Sequence, residues 1–151
     1  MRQSHRKNMM KKNDCDKATR RRLIREVAGV LPRGSHRHAE HDLQASCMTW
    51  LRYTYPEVWG VTFAVPNGGR RDAATAGLLR AEGVKAGVAD IVCLWHGVLC
   101  IEMKTRSGRQ SPEQRTFQKA VQATGGEYVI CRSLDEFRDV MDAWVDRIEQ
   151  V

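Results

Sequence analysis

The sequence has no run of about 18 apolar residues, the minimum for a helix that crosses a membrane. It also lacks a signal-peptide pattern, so we expect no membrane role. Its five cysteines form no C-x-x-C pair and no zinc-finger spacing, and three of them lie in predicted core strands, where a free cysteine packs as a small apolar residue. These absences favour a protein of the reducing cytoplasm.

Acidic residues are scarce in the first 36 residues, which hold 11 lysines and arginines against 3 aspartates and glutamates. The remainder holds 14 against 15, so the net charge of +7 belongs to the N-terminal segment. We predict a basic N-terminal arm over residues 1–36 and one globular domain over residues 37–151, long enough to bury a core. The arm is either a tail that binds nucleic acid or a solubilising tail, and the sequence leaves both open.

Three charged residues lie in the otherwise apolar stretch 87–104, which reads as two short strands joined by a turn. Strand alternation places Glu102 and Lys104 on one face. A three-residue loop over residues 96–98 would pair Val92 with Glu102 and Asp90 with Lys104, and would put all three charges on that face. A two-residue loop would put Asp90 on the opposite face, so we predict the longer loop.

Two carboxylates beside an ammonium group suit a hard divalent cation, because Mg²⁺ takes one or two carboxylates together with water and substrate phosphate. In this interpretation Asp90 and Glu102 hold the metal, and Lys104 orients an attacking water or offsets phosphate charge. The alternative is a buried ion-pair cluster that serves only packing.

The rest of the chain reads as alternating helices and strands. Helices are predicted over residues 39–53 and 72–82, and strands over residues 58–65 and 128–131; Pro56 is expected to end the first helix region and Gly83 the second helix. Two further helices are predicted to begin with capping boxes, at Ser111–Gln114 and at Ser133–Glu136. Leu78 is expected to pack in the second helix, and Ala120 and Thr124 in the third. The order of these elements predicts an α/β fold with a small mixed β-sheet flanked by helices.

Two loops carry polar residues suited to phosphate contacts. They are Asn67, Arg70 and Arg71 in the first loop, and Arg106 and Arg109 in the second. Arginine forms strong hydrogen bonds with phosphate oxygens, so both loops are candidate DNA-binding segments. Plain surface solvation is the alternative for each loop.

The arrangement Asp90…Glu102-x-Lys104 resembles the D…E-x-K motif of the PD-(D/E)XK nuclease superfamily, although Ala89 stands where that superfamily commonly has proline. More narrowly, the chain resembles a stand-alone VRR-NUC domain of the phage and bacterial type. The matching pieces run from residue 40 to residue 114: Glu40-x-x-x-Gln44, Pro66-Asn-Gly-Gly-x-Arg71, Glu82-Gly83-Val84-x-x-Gly87, Asp90…Glu102-x-Lys104 and Ser111-Pro-x-Gln114.

The resemblance implies a restriction-endonuclease-like core and hydrolysis of DNA phosphodiester bonds with Mg²⁺ or Mn²⁺. Asp90, Glu102 and Lys104 match the catalytic motif, and Gln114 is expected as a further catalytic residue at the edge of the site, where it would support Lys104 or the attacking water. The backbone carbonyl of Met103 is expected to complete the metal shell. Glu40 alone would be read as a residue that favours its helix dipole, but the resemblance makes it a catalytic residue and a metal ligand, direct or through water.

Small members of the family are similar to Holliday-junction resolvases and form homodimers. The resemblance therefore implies a homodimeric enzyme that acts on branched DNA in a bacterial host or phage-infected cell. Two alternatives stay open. One is a flap- or nick-processing nuclease of the same fold, and the other is a non-catalytic DNA-binding module whose working part is the basic arm.

Overall fold

The computed structural model describes residues 39–66 and 73–149 of the chain. The predicted arm and the loop residues Asn67, Arg70 and Arg71 lie outside this range. The elements within it are α1 (Ala39–Thr54), α2 (Pro56–Trp59), β1 (Thr62–Ala64), α3 (Ala73–Ala81), β2 (Ile91–Cys93), β3 (Leu99–Met103), α4 (Pro112–Ala123), β4 (Glu127–Cys131) and α5 (Leu134–Glu149). None of these helices is long and apolar enough to cross a membrane.

The four strands form one mixed sheet in the order β1-β2-β3-β4. Neighbours are antiparallel from β1 to β3, whereas β3 and β4 run parallel. A parallel pair needs a long crossover connection, and α4 supplies it. The predicted α/β architecture with a small mixed sheet is therefore confirmed.

The predicted strand pair is present, but its predicted register is wrong by two residues. Val92 lies opposite Cys100 and not Glu102. Continued by two residues, the observed register brings Asp90 level with Glu102 and not with Lys104. Because side chains alternate with a period of two, the shift keeps Asp90 on the predicted face.

The turn explains the shifted register. His96 and Gly97 both take positive φ angles, 50° and 154°. Such angles are typical of the residues that reverse the chain in a hairpin. The hairpin is therefore centred on His96, one residue earlier than the predicted loop.

The sheet separates a large core from a small one. The face that carries Ile91, Ile101 and Met103 packs against α1, α2 and α5 and holds most of the buried apolar side chains. On the other face, Ala89, Cys100 and Tyr128 form a small cluster with partly buried residues of α4. The predicted core cysteines of the strands, Cys93, Cys100 and Cys131, are buried and free.

Several local predictions are wrong. The predicted strand over residues 58–65 is a short helix, α2, followed by the three residues of β1. Pro56 begins that helix instead of only ending the one before, because proline is well suited to the first helical position. In α3, Leu78 was expected to pack but is 66% exposed. In α4, Ala120 and Thr124 are likewise exposed, since only one narrow side of that helix faces the sheet.

The predicted capping box at the start of α4 is confirmed. The Ser111 hydroxyl accepts the Gln114 backbone N–H at 3.2 Å, and the Gln114 side chain accepts the Ser111 N–H at 2.9 Å. At α5, Ser133 caps Glu136 as expected, but the Glu136 carboxylate accepts the N–H of Arg132 and not that of Ser133. The second box is therefore only half formed.

Gly87 fixes the approach of the chain to β2. Its φ is +78°, a left-handed value that favours glycine. A Cβ at this position would lie 2.4 Å from the carbonyl carbon of Glu113 and 2.6 Å from the backbone nitrogen of Gln114. The backbone at Gly87 therefore packs directly on the first turn of α4.

We predict that Gly87→Ala lowers the free energy of unfolding by about 1–3 kcal/mol, because the methyl group forces this backbone contact apart. Urea unfolding measures the change. Gly77→Ala in α3 is the matched control, since its Cβ would meet nothing within 4 Å, and it should be neutral or slightly stabilising. Equal stability of wild type and Gly87→Ala would contradict the prediction.

Candidate active site

Glu102 is the centre of the site. It lies in β3 on the face of the smaller cluster and is fully buried, with 0% exposure. One carboxylate oxygen, Oε1, accepts from Lys104 Nζ at 2.5 Å and from Gln114 Nε2. The other, Oε2, accepts from the Tyr128 hydroxyl at 2.9 Å. Three donors from β3, α4 and β4 thus hold the carboxylate in one place.

Asp90 lies immediately before β2, next to Glu102. Its Oδ2 accepts the backbone N–H of Met103 at 2.8 Å, so the carboxylate is tied across to β3. Its own carbonyl accepts the N–H of Val65 at 2.8 Å. These two bonds hold Asp90 between its neighbouring strands, at the half-buried end of β2.

The electrostatics of the pair are unfavourable without a positive partner. Burial raises the pKa of Glu102, and the negative charge of Asp90 raises it further. Hydrogen bonds from Lys104 and Tyr128 act in the opposite direction. Burial and the Glu102 charge also raise the pKa of the Tyr128 hydroxyl, which keeps it a proton donor at neutral pH. The ammonium of Lys104 therefore supplies the positive charge that the ionised form of Glu102 requires.

Lys104 and Met103 complete this part of the site. Lys104 is only 8% exposed, and its Nζ also contacts the backbone carbonyl of Met103 at 3.3 Å. The Met103 carbonyl, predicted as a metal ligand, therefore lies on the side of the lysine ammonium. Two carboxylates and one carbonyl would supply a metal with oxygen donors alone, which is the kind of ligand that Mg²⁺ and Mn²⁺ prefer.

Glu40 lies at the neighbouring loop. Its Oε1 accepts the N–H of Thr105 at 2.9 Å. A Cβ on Gly108 would lie 3.1 Å from that oxygen and 3.2 Å from Lys104 Cδ, so Glu40 and Lys104 flank the same glycine. Within the part of the chain that the structure describes, no three His, Cys, Asp or Glu side chains are grouped to hold a metal. The metal-ligand role of Glu40 stays a prediction.

The structure brings Asp90, Glu102, Lys104 and Gln114 together, as the sequence analysis expected. Arg106 and Arg109 are exposed on the loop between β3 and α4. The predicted DNA-contacting residues of the loop before α3 lie outside the described residues.

Tyr128 and Arg132 are not among the residues that the sequence predicts for the site. Tyr128 was read only as part of a buried strand, although the hydroxyl of a buried tyrosine normally needs a hydrogen-bond partner. Arg132 follows the same strand, where the sequence gives no sign of its contacts. Its Nη1 donates to the backbone carbonyls of Thr105, Gly108 and Arg106.

The described elements place the chain among α/β folds in which one mixed sheet lies between helices. No protein-family model matches the chain, and no curated protein matches it. Among solved structures, one described as "VRR_NUC domain protein" is similar, with a TM-score of 0.61 and 19% sequence identity. The similarity covers 76% of this chain and 92% of that one. The fold is thus similar to that of a VRR-NUC domain protein, and the predicted α/β core is confirmed.

We predict that Tyr128→Phe lowers the free energy of unfolding by about 1–3 kcal/mol, because it removes a donor from a buried carboxylate. The pKa of Glu102 should rise further, since the Tyr128 hydrogen bond lowers it. Urea unfolding at neutral pH measures the first effect. Tyr53→Phe, on a 55% exposed ring, is the control and should change nothing. A Tyr128→Phe protein as stable as wild type would show that the hydrogen bond from Tyr128 to Glu102 does not contribute to stability.

The raised pKa of Glu102 predicts how stability depends on pH. The folded chain holds this proton more tightly than the unfolded chain, so the contribution of Glu102 is largest below its ordinary value of about 4.5. That contribution is lost as the pH rises through the raised pKa. The free energy of unfolding, measured in chelator between about pH 4 and pH 8, should therefore fall less steeply in Glu102→Gln than in wild type. Identical slopes in the two proteins would refute the assignment.

Proposed function

We propose that this chain is a nuclease that hydrolyses DNA phosphodiester bonds with Mg²⁺ or Mn²⁺. The observation that carries the proposal is the arrangement around Glu102. Asp90 lies level with it on the adjacent strand, and Lys104 and Gln114 both donate to its carboxylate. Two carboxylates that can bind a divalent metal, with an ammonium group beside them, are the groups that metal-assisted hydrolysis of a phosphodiester requires.

Asp90, Glu102 and the carbonyl of Met103 are the groups that would hold the metal, with Glu40 as a further candidate. When bound, the metal supplies a Lewis acid that stabilises charge on the phosphate. Lys104 carries the positive charge nearest the carboxylates, where it orients the attacking water or offsets phosphate charge.

Gln114 is a positioning residue in this proposal. Its amide nitrogen donates to Glu102, while its amide oxygen accepts the N–H of Ser111. The capping box of α4 thus fixes the amide, and the amide fixes the carboxylate.

Contacts with DNA are assigned to the exposed loop arginines. Arg106 and Arg109 lie on the loop that follows Lys104, so a phosphate backbone bound there passes next to the carboxylate pair. Arginine contacts of this type position the substrate without reading its bases. We therefore propose that the enzyme selects DNA by shape.

The substrate that we propose is a four-way junction, cut by a homodimer. A two-fold dimer carries one site on each subunit and presents the two sites to symmetry-related strands of a junction. A flap- or nick-processing nuclease of the same fold is the second candidate, since exposed loop arginines suit any branched backbone.

We predict that wild type cuts a labelled four-way junction in symmetric pairs in Mg²⁺ or Mn²⁺ and not in EDTA. Asp90→Asn and Lys104→Ala should each lower the single-turnover rate by a factor on the order of 10²–10⁴, because the first removes a proposed metal ligand and the second the ammonium that orients the attacking water or offsets phosphate charge. Cutting is followed on sequencing gels, with linear duplex and flap substrates alongside.

Asp135→Asn and Lys119→Ala are matched controls, because they remove the same kinds of charge from exposed positions on α5 and α4. Both should cut at the wild-type rate. Preferred cutting of flaps would support the second candidate. Tight binding of all substrates without cutting in either metal would replace the nuclease by a non-catalytic DNA-binding module.

A further inference from the structure

The loop over residues 105–110, here named the arginine loop, is held by side chains from three other elements. From α1, Glu40 accepts the N–H of Thr105 at 2.9 Å. From α4, Arg115 Nη1 donates to the carbonyl of Gln110 at 2.6 Å. Near its centre, the N–H of Gly108 closes a turn on the Thr105 carbonyl at 3.1 Å. The loop is therefore anchored at both ends.

Arg132 supplies the third set of contacts. Its Nη1 donates to the carbonyls of Thr105 at 2.6 Å and Gly108 at 2.8 Å, with the Arg106 carbonyl at 3.4 Å. The two shorter bonds join both ends of the turn to one guanidinium nitrogen. Hydrogen bonds from a charged donor are about twice as strong as neutral ones, so Arg132 is a major restraint on the shape of the loop.

The backbone of Arg132 is itself held in place. It follows β4, and its N–H donates to the Glu136 carboxylate at 2.7 Å. The preceding residue, Cys131, accepts the N–H of Lys104 at 3.0 Å. The guanidinium is therefore attached to a rigid end of the sheet, beside the strand that carries the candidate catalytic residues.

The positive charge of Arg132 indicates what kind of ligand this region suits. Its guanidinium donates to backbone carbonyls of the loop that also carries the exposed side chains of Arg106 and Arg109, so three arginines belong to one region of the fold. No salt bridge to the Arg132 side chain occurs among the described residues, so the guanidinium is balanced by backbone carbonyl dipoles. An arrangement that concentrates cations in this way suits an anionic ligand with several charges in a row.

We infer that Arg132 is a positioning residue that fixes the arginine loop so that Arg106 and Arg109 meet the phosphates of a nucleic-acid backbone next to Asp90 and Glu102. The inference rests on the proposed function. A loop that is already ordered loses less conformational entropy when it binds, and affinity gains accordingly. Arg132 acts through the loop and does not itself contact the phosphates.

The first test measures the order of the loop in the free protein. Trypsin cuts after arginine, and cutting after Arg106 or Arg109 requires the loop to open. In Arg132→Gln we expect cutting at these two positions to be about tenfold faster, as resolved by mass spectrometry, because the charged hydrogen bonds are lost. Arg147→Gln is the matched control, because it removes an arginine from α5 that pairs with Glu127. Trypsin should cut this variant after Arg106 and Arg109 at the wild-type rate.

Thermal unfolding is recorded for each variant, so that loop opening is distinguished from global unfolding. If Arg132→Gln does not fold, Arg132→Met preserves the apolar stem without the donors and takes its place. Unchanged cutting after Arg106 and Arg109 in a folded variant would overturn the inference.

The second test measures binding of a labelled four-way junction in Ca²⁺ or EDTA, where affinity is read without cutting. Arg132→Gln should weaken binding about three- to tenfold, comparable to losing a phosphate contact. In an Arg106→Gln/Arg109→Gln background the same change should have no further effect, because its effect passes through those two side chains. A full additional loss in that background would show that Arg132 binds DNA directly, and would overturn the positioning role.

The two proposals fail in different ways. If the wild-type protein binds no DNA at all, the proposed function fails. If the wild type binds and cuts DNA while Arg132→Gln matches it in both assays, the nuclease assignment survives and the role of Arg132 is rejected.

Discussion

A carboxylate that is buried away from water requires positive or hydrogen-bond donor groups within the protein, and among the described residues this requirement is clearest at Glu102. It is fully buried and accepts hydrogen bonds from Lys104, Gln114 and Tyr128. The three donors come from different elements, so the position of this carboxylate requires β3, β4 and α4 to be assembled correctly. A buried charge with a missing partner is strongly destabilising, which makes the site sensitive to errors in that assembly.

Helix α4 is the element through which local sequence reaches the site. Ser111 and Gln114 cap its N-terminus, and Gln114 uses the remaining end of its amide to bind Glu102. Gly87 allows the chain before β2 to lie against the same first turn. A motif that normally serves only to start a helix therefore also fixes the distance between that helix and the strand that carries Glu102.

Much of the fold was predictable because its signals are local. The alternation around Glu102, the capping residues of α4 and the glycine that ends α3 each determine the structure of only a few neighbouring residues. The register of the hairpin was not predictable, since it depends on the positive φ angle of His96, and only a few per cent of residues other than glycine take one.

The residues of the candidate site also divide into those with a local sequence signal and those without one. The sequence identifies Asp90, Glu102, Lys104 and Gln114 as site residues, because charges or caps in those positions are unusual. It does not identify Tyr128 and Arg132, because their roles depend on distant contacts. Tyr128 contacts Glu102, 26 residues away, and Arg132 contacts the Thr105 carbonyl, 27 residues away. Such contacts exist only once β4 has paired in parallel with β3. Propensity and periodicity carry no information about that pairing.

The unequal cores on the two faces of the sheet have a consequence for how this chain can change. Most of the buried apolar side chains lie on the face opposite Glu102, while the face that carries Glu102 packs on the small cluster under α4. Substitutions around the rim of the site therefore remove little packing, and the reserve of stability on the far side is left intact. A chain built in this way can accept substitutions at one surface without compensating mutations elsewhere.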